Sequence, residues 1–189
     1  MARPAPTAVL SARDAAALAR GPAEYEATTF RDCDLTGADL GKKRFVDCVF
    51  EASNLSTVEW RGAALHGVRF RECKLLGADL TRVRTTFLAL TFEACKLDYA
   101  NFGGLELVKT LFDHCSLVDA SFVGTNLSGA VFSDCDVSGA LFRQTNLSGA
   151  DLRGADGLVL DPEQNRIRKA KLSLHGLPGL LTKYELDVD

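Results

Sequence analysis

The chain has 189 residues, 47% apolar and 25% charged, with 22 basic and 25 acidic groups and a formal net charge of −3. That length suits one structural domain with a sizeable core. No apolar run approaches membrane length, and the basic residues form no aromatic-interleaved patch, so neither membrane nor direct nucleic-acid binding is expected.

Residues 1–24 precede any regular pattern. The Ala-rich start carries Arg13, Asp14 and Arg20, which is unlike a signal peptide or a spanning helix. Ser11 and Asp14 resemble a capping pair, residues 12–20 are strong helix formers, and Gly21-Pro22 would stop the helix. The expectation is an arm or short helix covering the open first coil of the repeat, with a partly ordered leader as the alternative.

From residue 25 to residue 157 a five-residue unit recurs: a small residue, Asp or Asn, Leu or Phe, then two variable positions. Ala38-Asp39-Leu40, Ala78-Asp79-Leu80, Thr125-Asn126-Leu127 and Ala150-Asp151-Leu152 show it most plainly. A period of five is neither the 3.6 of a helix nor the 2 of a strand, so the chain reads as a repeat solenoid. Four five-residue sides make a square turn in which residues 20 apart stack.

Four columns result. They are Phe30, Phe50, Phe70, Phe92, Phe112, Phe132; Leu35, Leu55, Leu75, Leu97, Leu117, Val137; Leu40, Trp60, Leu80, Phe102, Phe122, Phe142; and Phe45, Leu65, Phe87, Leu107, Leu127, Leu147. The step from Leu80 to Phe87 is seven, which places a two-residue bulge at a corner within 81–86. At about 4.8 Å per coil, six to seven coils make a rod roughly 30 Å long. Lys42, Lys43 and Arg44 are expected to be exposed.

Cys33, Cys48, Cys73, Cys95, Cys115 and Cys135 each fall two positions before a column centre, where small residues face inward. All but Cys48 share one column, so they read as core thiols rather than metal ligands or disulfides. No CxxC pair exists, and a reducing cytoplasm, the default location here, keeps thiols free. His66, His114 and His175 are scattered, no phosphate-binding motif is present, and no cofactor or metal is expected. The chain is not expected to be an enzyme, since a nucleophile needs a base and a water-excluding pocket.

Residues 25–110 carry twelve groups of each sign. Residues 111–160 carry Asp113, Asp119, Asp134, Asp136, Asp151 and Asp156 against Arg143 and Arg153, a local net charge of −4. At noncentral, outward positions these aspartates should form an acidic stripe near the C-terminal end of the rod.

The repeat resembles that of pentapeptide repeat proteins, which implies an all-β, right-handed quadrilateral β-helix. The tail, residues 158–189, contains Ala170-Lys171-Leu172-Ser173-Leu174, then Leu177, Leu180 and Leu181, then Tyr184-Glu185-Leu186-Asp187-Val188. It is similar to the C-terminal segment of topoisomerase-protecting members, which are the quinolone-resistance proteins and the immunity proteins of albicidin and microcin producers. Residues 96–102 resemble a further segment of the quinolone-resistance proteins.

The leucine spacing, with Gly176, Pro178 and Gly179 against a longer helix, predicts a short helix beginning near Pro178. The resemblance implies a homodimer through Leu174, Leu177, Leu180, Leu181, Tyr184 and Leu186 that sets two rods end to end, with a monomeric cap as the alternative. It implies a partner, DNA gyrase and also topoisomerase IV, bound by a rod that imitates DNA. It also implies a contact role for the bulge residues Arg82, Val83, Arg84, Thr85 and Thr86, with a bland corner insertion as the alternative. A scaffold for an unrelated protein is the other functional reading.

Overall fold

In the computed structural model, residues 8–10 and 15–186 are described. The elements in chain order are β1 (Ala8–Leu10), α1 (Ala15–Arg20), β2 (Glu24–Glu26), β3 (Thr28–Arg31), β4 (Arg44–Val46), β5 (Val49–Glu51), β6 (Ala64–His66), β7 (Val68–Arg71), β8 (Leu90–Glu93), β9 (Leu111–Asp113), β10 (Val131–Ser133), β11 (Cys135–Asp136), β12 (Ala155–Asp156) and α2 (Pro178–Leu181), followed by a 3-10 turn, Thr182–Tyr184. They form a β-solenoid in which parallel strands stack in the order β1-β3-β5-β7-β8-β9-β10, with smaller sheets β2-β4-β6 and β11-β12.

Register is the 20-residue repeat made physical. Phe30 pairs with Phe50, Phe50 with Phe70, Phe92 with Phe112 and Phe112 with Phe132. We number the faces one to four by their central columns, beginning with Phe30, Leu35, Leu40 and Phe45. Corners are made by the residue two places after each centre, whose φ is positive: Asp32 (54°), Gly37 (66°), Lys42 (61°) and Asp47 (53°) turn the chain through one coil. Left-handed backbone favours Gly and tolerates Asn or Asp, so the corners are also where the motif is most variable.

Inside, rings stack in parallel columns and meet edge-on between faces. Phe112 lies 5.2 Å from Phe92 and 4.8 Å from Phe132, stacked nearly parallel to both, and 5.9 Å edge-on from Phe102 and from Phe122. Offset-stacked and T-shaped pairs suit the ring quadrupole, and each adds about 0.5–1.5 kcal/mol beyond area burial. Polar side chains at the small inward position reach back to a carbonyl 23 residues earlier: Thr125 Oγ1 donates to Phe102 O (2.9 Å) and Thr145 Oγ1 to Phe122 O (2.8 Å).

The six cysteines occupy the same kind of place. All are buried and none is in a disulfide. The Cys73 and Cys135 thiols donate to the Phe50 and Phe112 carbonyls at 3.3 and 3.4 Å. A hydrogen bond with Cys115, together with burial, pushes the Cys135 thiol well above its ordinary range. The Cys73 thiol shifts the other way, lowered by its hydrogen bond with Cys95, and all six are at most 2% exposed.

Four expectations change. First, the register through the bulge differs. Arg84 still pairs with Ala64, 20 residues before it, and Leu88 N–H donates to Thr85 O (3.2 Å) just as Ala38 N–H donates to Leu35 O (2.9 Å). Thr85 is therefore the fourth-face centre of this coil, and Phe87 is its corner, with φ of 59°. The two extra residues are taken up between Phe87 and Leu90, which pairs with Val68. Phe87 consequently points outward, 76% exposed, with its ring 5.8 Å from that of His66. Leu88 packs part-way into the core near the weak centre.

Second, Val83 is buried at a small inward position, so within 82–86 only Arg82, Arg84, Thr85 and Thr86 face solvent. Third, Lys43 is buried rather than exposed, because it takes the inward position of the first full coil. Its ammonium donates to Gly21 O (3.1 Å) and Pro22 O (2.9 Å), which fastens the end of α1 to the rod. A buried ammonium is tolerable when hydrogen-bonded in this way.

Fourth, the coil does not stop at residue 157. Asn146 pairs with Arg166 and Asp151 with Lys171. Ile167 and Leu172, each 20 residues after a centre, pack against the core. Asn165 replaces the small inward residue and donates to Phe142 O (2.9 Å). This last coil lacks the small-Asp/Asn-Leu signature and keeps only the spacing.

At the other end, β1 extends the Phe face by one strand, with Leu10 opposite Phe30. Of the helix expected over 12–20, α1 is described from Ala15 to Arg20 and places Leu18, 3% exposed, in the core over the first coil. Ser11 and Asp14, the expected capping pair, lie outside the described residues.

Candidate functional site

The acidic residues of 111–160 divide by geometry. Asp113 stands just after the first-face centre, Asp134 at the corner between the first and second faces, and Asp136 and Asp156 just before second-face centres on consecutive coils. These four line one edge of the rod. His114 sits among them, its Nδ1 3.0 Å from Asp113 Oδ1 and its Nε2 3.6 Å from Asp134 Oδ2. A shallow groove along the edge is lined by Asp134, Asp136, Arg153, Asp156, Ser173 and His175.

Asp151 does not belong to that edge as a free charge. Arg153 grips it with two bonds, Nε to Oδ1 at 2.9 Å and Nη2 to Oδ2 at 2.7 Å, and Lys171 Nζ lies 3.5 Å away. The Arg153 hydrogen bond, with the Lys171 charge beyond it, holds the Asp151 carboxyl well below the usual carboxylate range. Asp119 is exposed at the far corner of the second face, with φ of 56°. The structure thus unites four of the six aspartates and leaves two apart.

The N-terminal half is different in kind. On the first face its charges alternate and cancel along a column: Arg31 bonds Glu51 (2.6 Å) and Arg71 bonds Glu93 (2.9 Å). Arg44 is similarly paired with Glu24 at 2.6 Å. These exposed pairs contribute little stability, yet they neutralise that face as far as Asp113, which lies between Glu93 and Ser133 in the column with His114 beside it.

The tail folds back on the last coil. Leu160 N–H donates to Gly179 O (3.3 Å), and a Cβ on Gly179 would lie 1.7 Å from Leu158 O, so only glycine permits this contact. Lys183 Nζ bridges Asp161 (2.7 Å) and Glu163 (2.8 Å), and Tyr184 OH donates to Glu163 Oε1 (3.0 Å). Leu180 packs against the core, whereas Leu174 (86%), Leu177, Leu181, Tyr184 and Leu186 remain exposed. Sequence reasoning missed Asp161 and Glu163, whose role depends on where Lys183 returns.

Among the described residues no group of His, Cys, Asp and Glu could hold a metal ion, and no helix is long and apolar enough to cross a membrane. What the surface offers is an array of charges on a rigid support.

That architecture agrees with sequence comparison. The profile described as "Pentapeptide repeat region" matches residues 23–102, and "Pentapeptide repeats (8 copies)" matches 95–134 and 125–156. The chain belongs to the pentapeptide repeat family. Among solved structures it is similar to a trypsin-treated form of QnrB1, a plasmid-mediated fluoroquinolone resistance protein, with 25% identity, a TM-score of 0.52, and coverage of 88% of this chain and 90% of that one. Full-length QnrB1 is similar at 22% identity and a TM-score of 0.50, covering 94% of this chain and 95% of the other, a likeness of fold alone. A search of curated protein sequences returned no match.

Proposed function

We propose that this protein binds a bacterial type II topoisomerase, DNA gyrase and also topoisomerase IV, as a cytoplasmic rod that imitates duplex DNA, and that it relieves inhibition by a topoisomerase poison. The observation that carries this reading is the row of Asp113, Asp134, Asp136 and Asp156 on adjoining coils. The rod that carries them shares its fold with a fluoroquinolone resistance protein over 90% of that chain. Asp136 and Asp156 repeat in register on adjacent coils, about 4.8 Å apart, and with Asp113 and Asp134 beside them present an anionic edge to a basic groove. The attraction steers encounter more than it adds affinity, and salt screens it.

No chemical step is involved, and protection is stoichiometric. The exposed Leu174, Leu177, Leu181, Tyr184 and Leu186 supply a twofold, end-to-end contact between copies, for which Leu180 anchors the tail. Such a pairing brings two acidic edges toward the centre of a longer rod. Arg82, Arg84, Thr85 and Thr86 offer a second contact on the exposed stretch that precedes the two extra residues.

Supercoiling by purified gyrase, measured with a poison in the presence and absence of this protein, tests the proposal. Restored supercoiling is expected. Neither rescue nor inhibition at about micromolar protein, an ordinary range for specific complexes, would leave the scaffold for an unrelated partner as the better reading. Replacing Asp113, Asp134 and Asp136 with Lys should weaken rescue, and undiminished protection would remove the acidic edge from the mechanism.

A further inference from the structure

The second face carries Asp34, Asn54, Lys74, Lys96, Ser116, Asp136 and Asp156 in one outward column, each paired in register with the next on successive coils. The lysines and aspartates are exposed and Ser116 is half-buried. Among the described residues neither lysine takes part in an ion pair. Asp136 accepts the Ser138 N–H (3.0 Å), and Asp156 accepts the Gly157 N–H (3.0 Å) with His175 at 4.0 Å. Along the rod the column runs minus, neutral, plus, plus, neutral, minus, minus, and its stretch from Lys74 to Asp156 is antisymmetric about Ser116. A half-turn about Ser116 converts that stretch into its own complement.

We propose that two copies of this chain pair side by side and antiparallel through the second face, with Lys74 and Lys96 of each opposite the partner's Asp156 and Asp136. Both rods share one coil spacing, about 4.8 Å, so when one pair meets, all four meet. Sliding by one coil leaves two of the four pairs, and a parallel arrangement sets like charges together, so charge fixes both direction and register. The neighbouring outward column, Thr36, Ser56, Leu76, Asp98, Val118 and Ser138, is mostly short side chains that permit close approach. At the centre, Ser116 Oγ donates to Asp98, which holds that carboxylate against its own rod.

The matched column spans about 19 Å, less than a stable interface of standard size requires. The pair is therefore weak and dissolves as salt shortens the screening length. While it lasts, Asp136 and Asp156 are covered, so pairing competes with any other partner of the acidic edge. The inference does not depend on that partner being a topoisomerase.

Sedimentation of the full chain at about 20 mM and about 500 mM salt, on either side of the range where exposed charges are screened, provides the test. The mass at low salt should be twice that at high salt, with any end-to-end pairing through the apolar tail setting the high-salt value. A chain with Lys74→Glu and Lys96→Glu, and a second with Asp136→Lys and Asp156→Lys, should each stay at the high-salt mass when alone. Mixed in equal amounts, they should regain the doubling, because the charges between positions 74 and 156 are then all acidic on one column and all basic on the other. Circular dichroism confirms that both variants fold. No doubling of the wild type, reversed chains that double alone, or a mixture that fails to associate would each overturn the proposal.

Discussion

Between Phe112 and Phe132 the inward places are filled by Phe112, Cys115, Leu117, Ala120, Phe122, Thr125, Leu127, Ala130 and Phe132, all buried. Between Leu80 and Phe92 the coil keeps its path through Val83 and then presents exposed Thr85 where a large apolar centre belongs, turns at Phe87, and admits Leu88 only part-way. Yet Leu65 and Leu107, below and above that weak side, are each 1% exposed. A solenoid is stabilised coil by coil through its neighbours, so one poor side is a local cost, and the residue displaced from it becomes available at the surface.

The largest expected contrast is between two phenylalanines. Phe112→Ala removes a ring packed among four others and should cost about 3–5 kcal/mol, whereas Phe87→Ala should stay within about 0.5 kcal/mol. Denaturant midpoints measure both, and equal losses would break the comparison. Next in size, Thr145→Val deletes the bond to Phe122 O at a fully buried site and should cost about 1–2 kcal/mol.

Phe87→Gly should move the other way, gaining up to about 1 kcal/mol, because glycine adopts the left-handed corner without the Cβ penalty. A marked loss would mean that the Phe87–His66 contact holds the corner. The smallest effect concerns Asp151. Its folded-state carboxyl is depressed by Arg153 and Lys171, so its contribution is present at neutral pH and fades as pH falls below about 4, toward the lowered value. The stability gap between wild type and Asp151→Asn should therefore be widest near pH 7 and close in acid, as read from denaturant midpoints at both pH values.

The Phe columns and the cysteine column were legible because a 20-residue spacing survives any choice of corner residue. Phe87 was not, for an arithmetical reason with a physical answer. Centres at 80, 87 and 92 or at 80, 85 and 92 restore the later columns equally well, and hydrophobicity favours the first. The bond network favours the second, since Arg84 N–H still donates to Ala63 O at 2.7 Å. Asp136 and Asp156 could be placed on one edge by counting. The neutralisation of Asp151 could not, because a spacing of two does not say that the Arg153 side chain turns back onto it, and the Lys171 charge beyond arrives through a final coil whose sequence, around Ile167 and Leu172, has lost the motif. Lys43 was misplaced because a basic run reads as solvated, although its middle member falls on an inward position and finds two carbonyls at the open end of the rod.

Trp60, the chain's sole tryptophan, is fully buried. It lies 6.3 Å from Phe45, Phe50 and Phe70, and its Nε1 has no hydrogen-bond partner among the described residues. Its emission is therefore that of an indole in a dry aromatic cage, and it reports on the coils before the Thr85 side alone. If the rod frays from its C-terminal end, circular dichroism will fall while Trp60 fluorescence still reads native. Coincident curves would instead show that the weak side transmits unfolding as well as the perfect ones do.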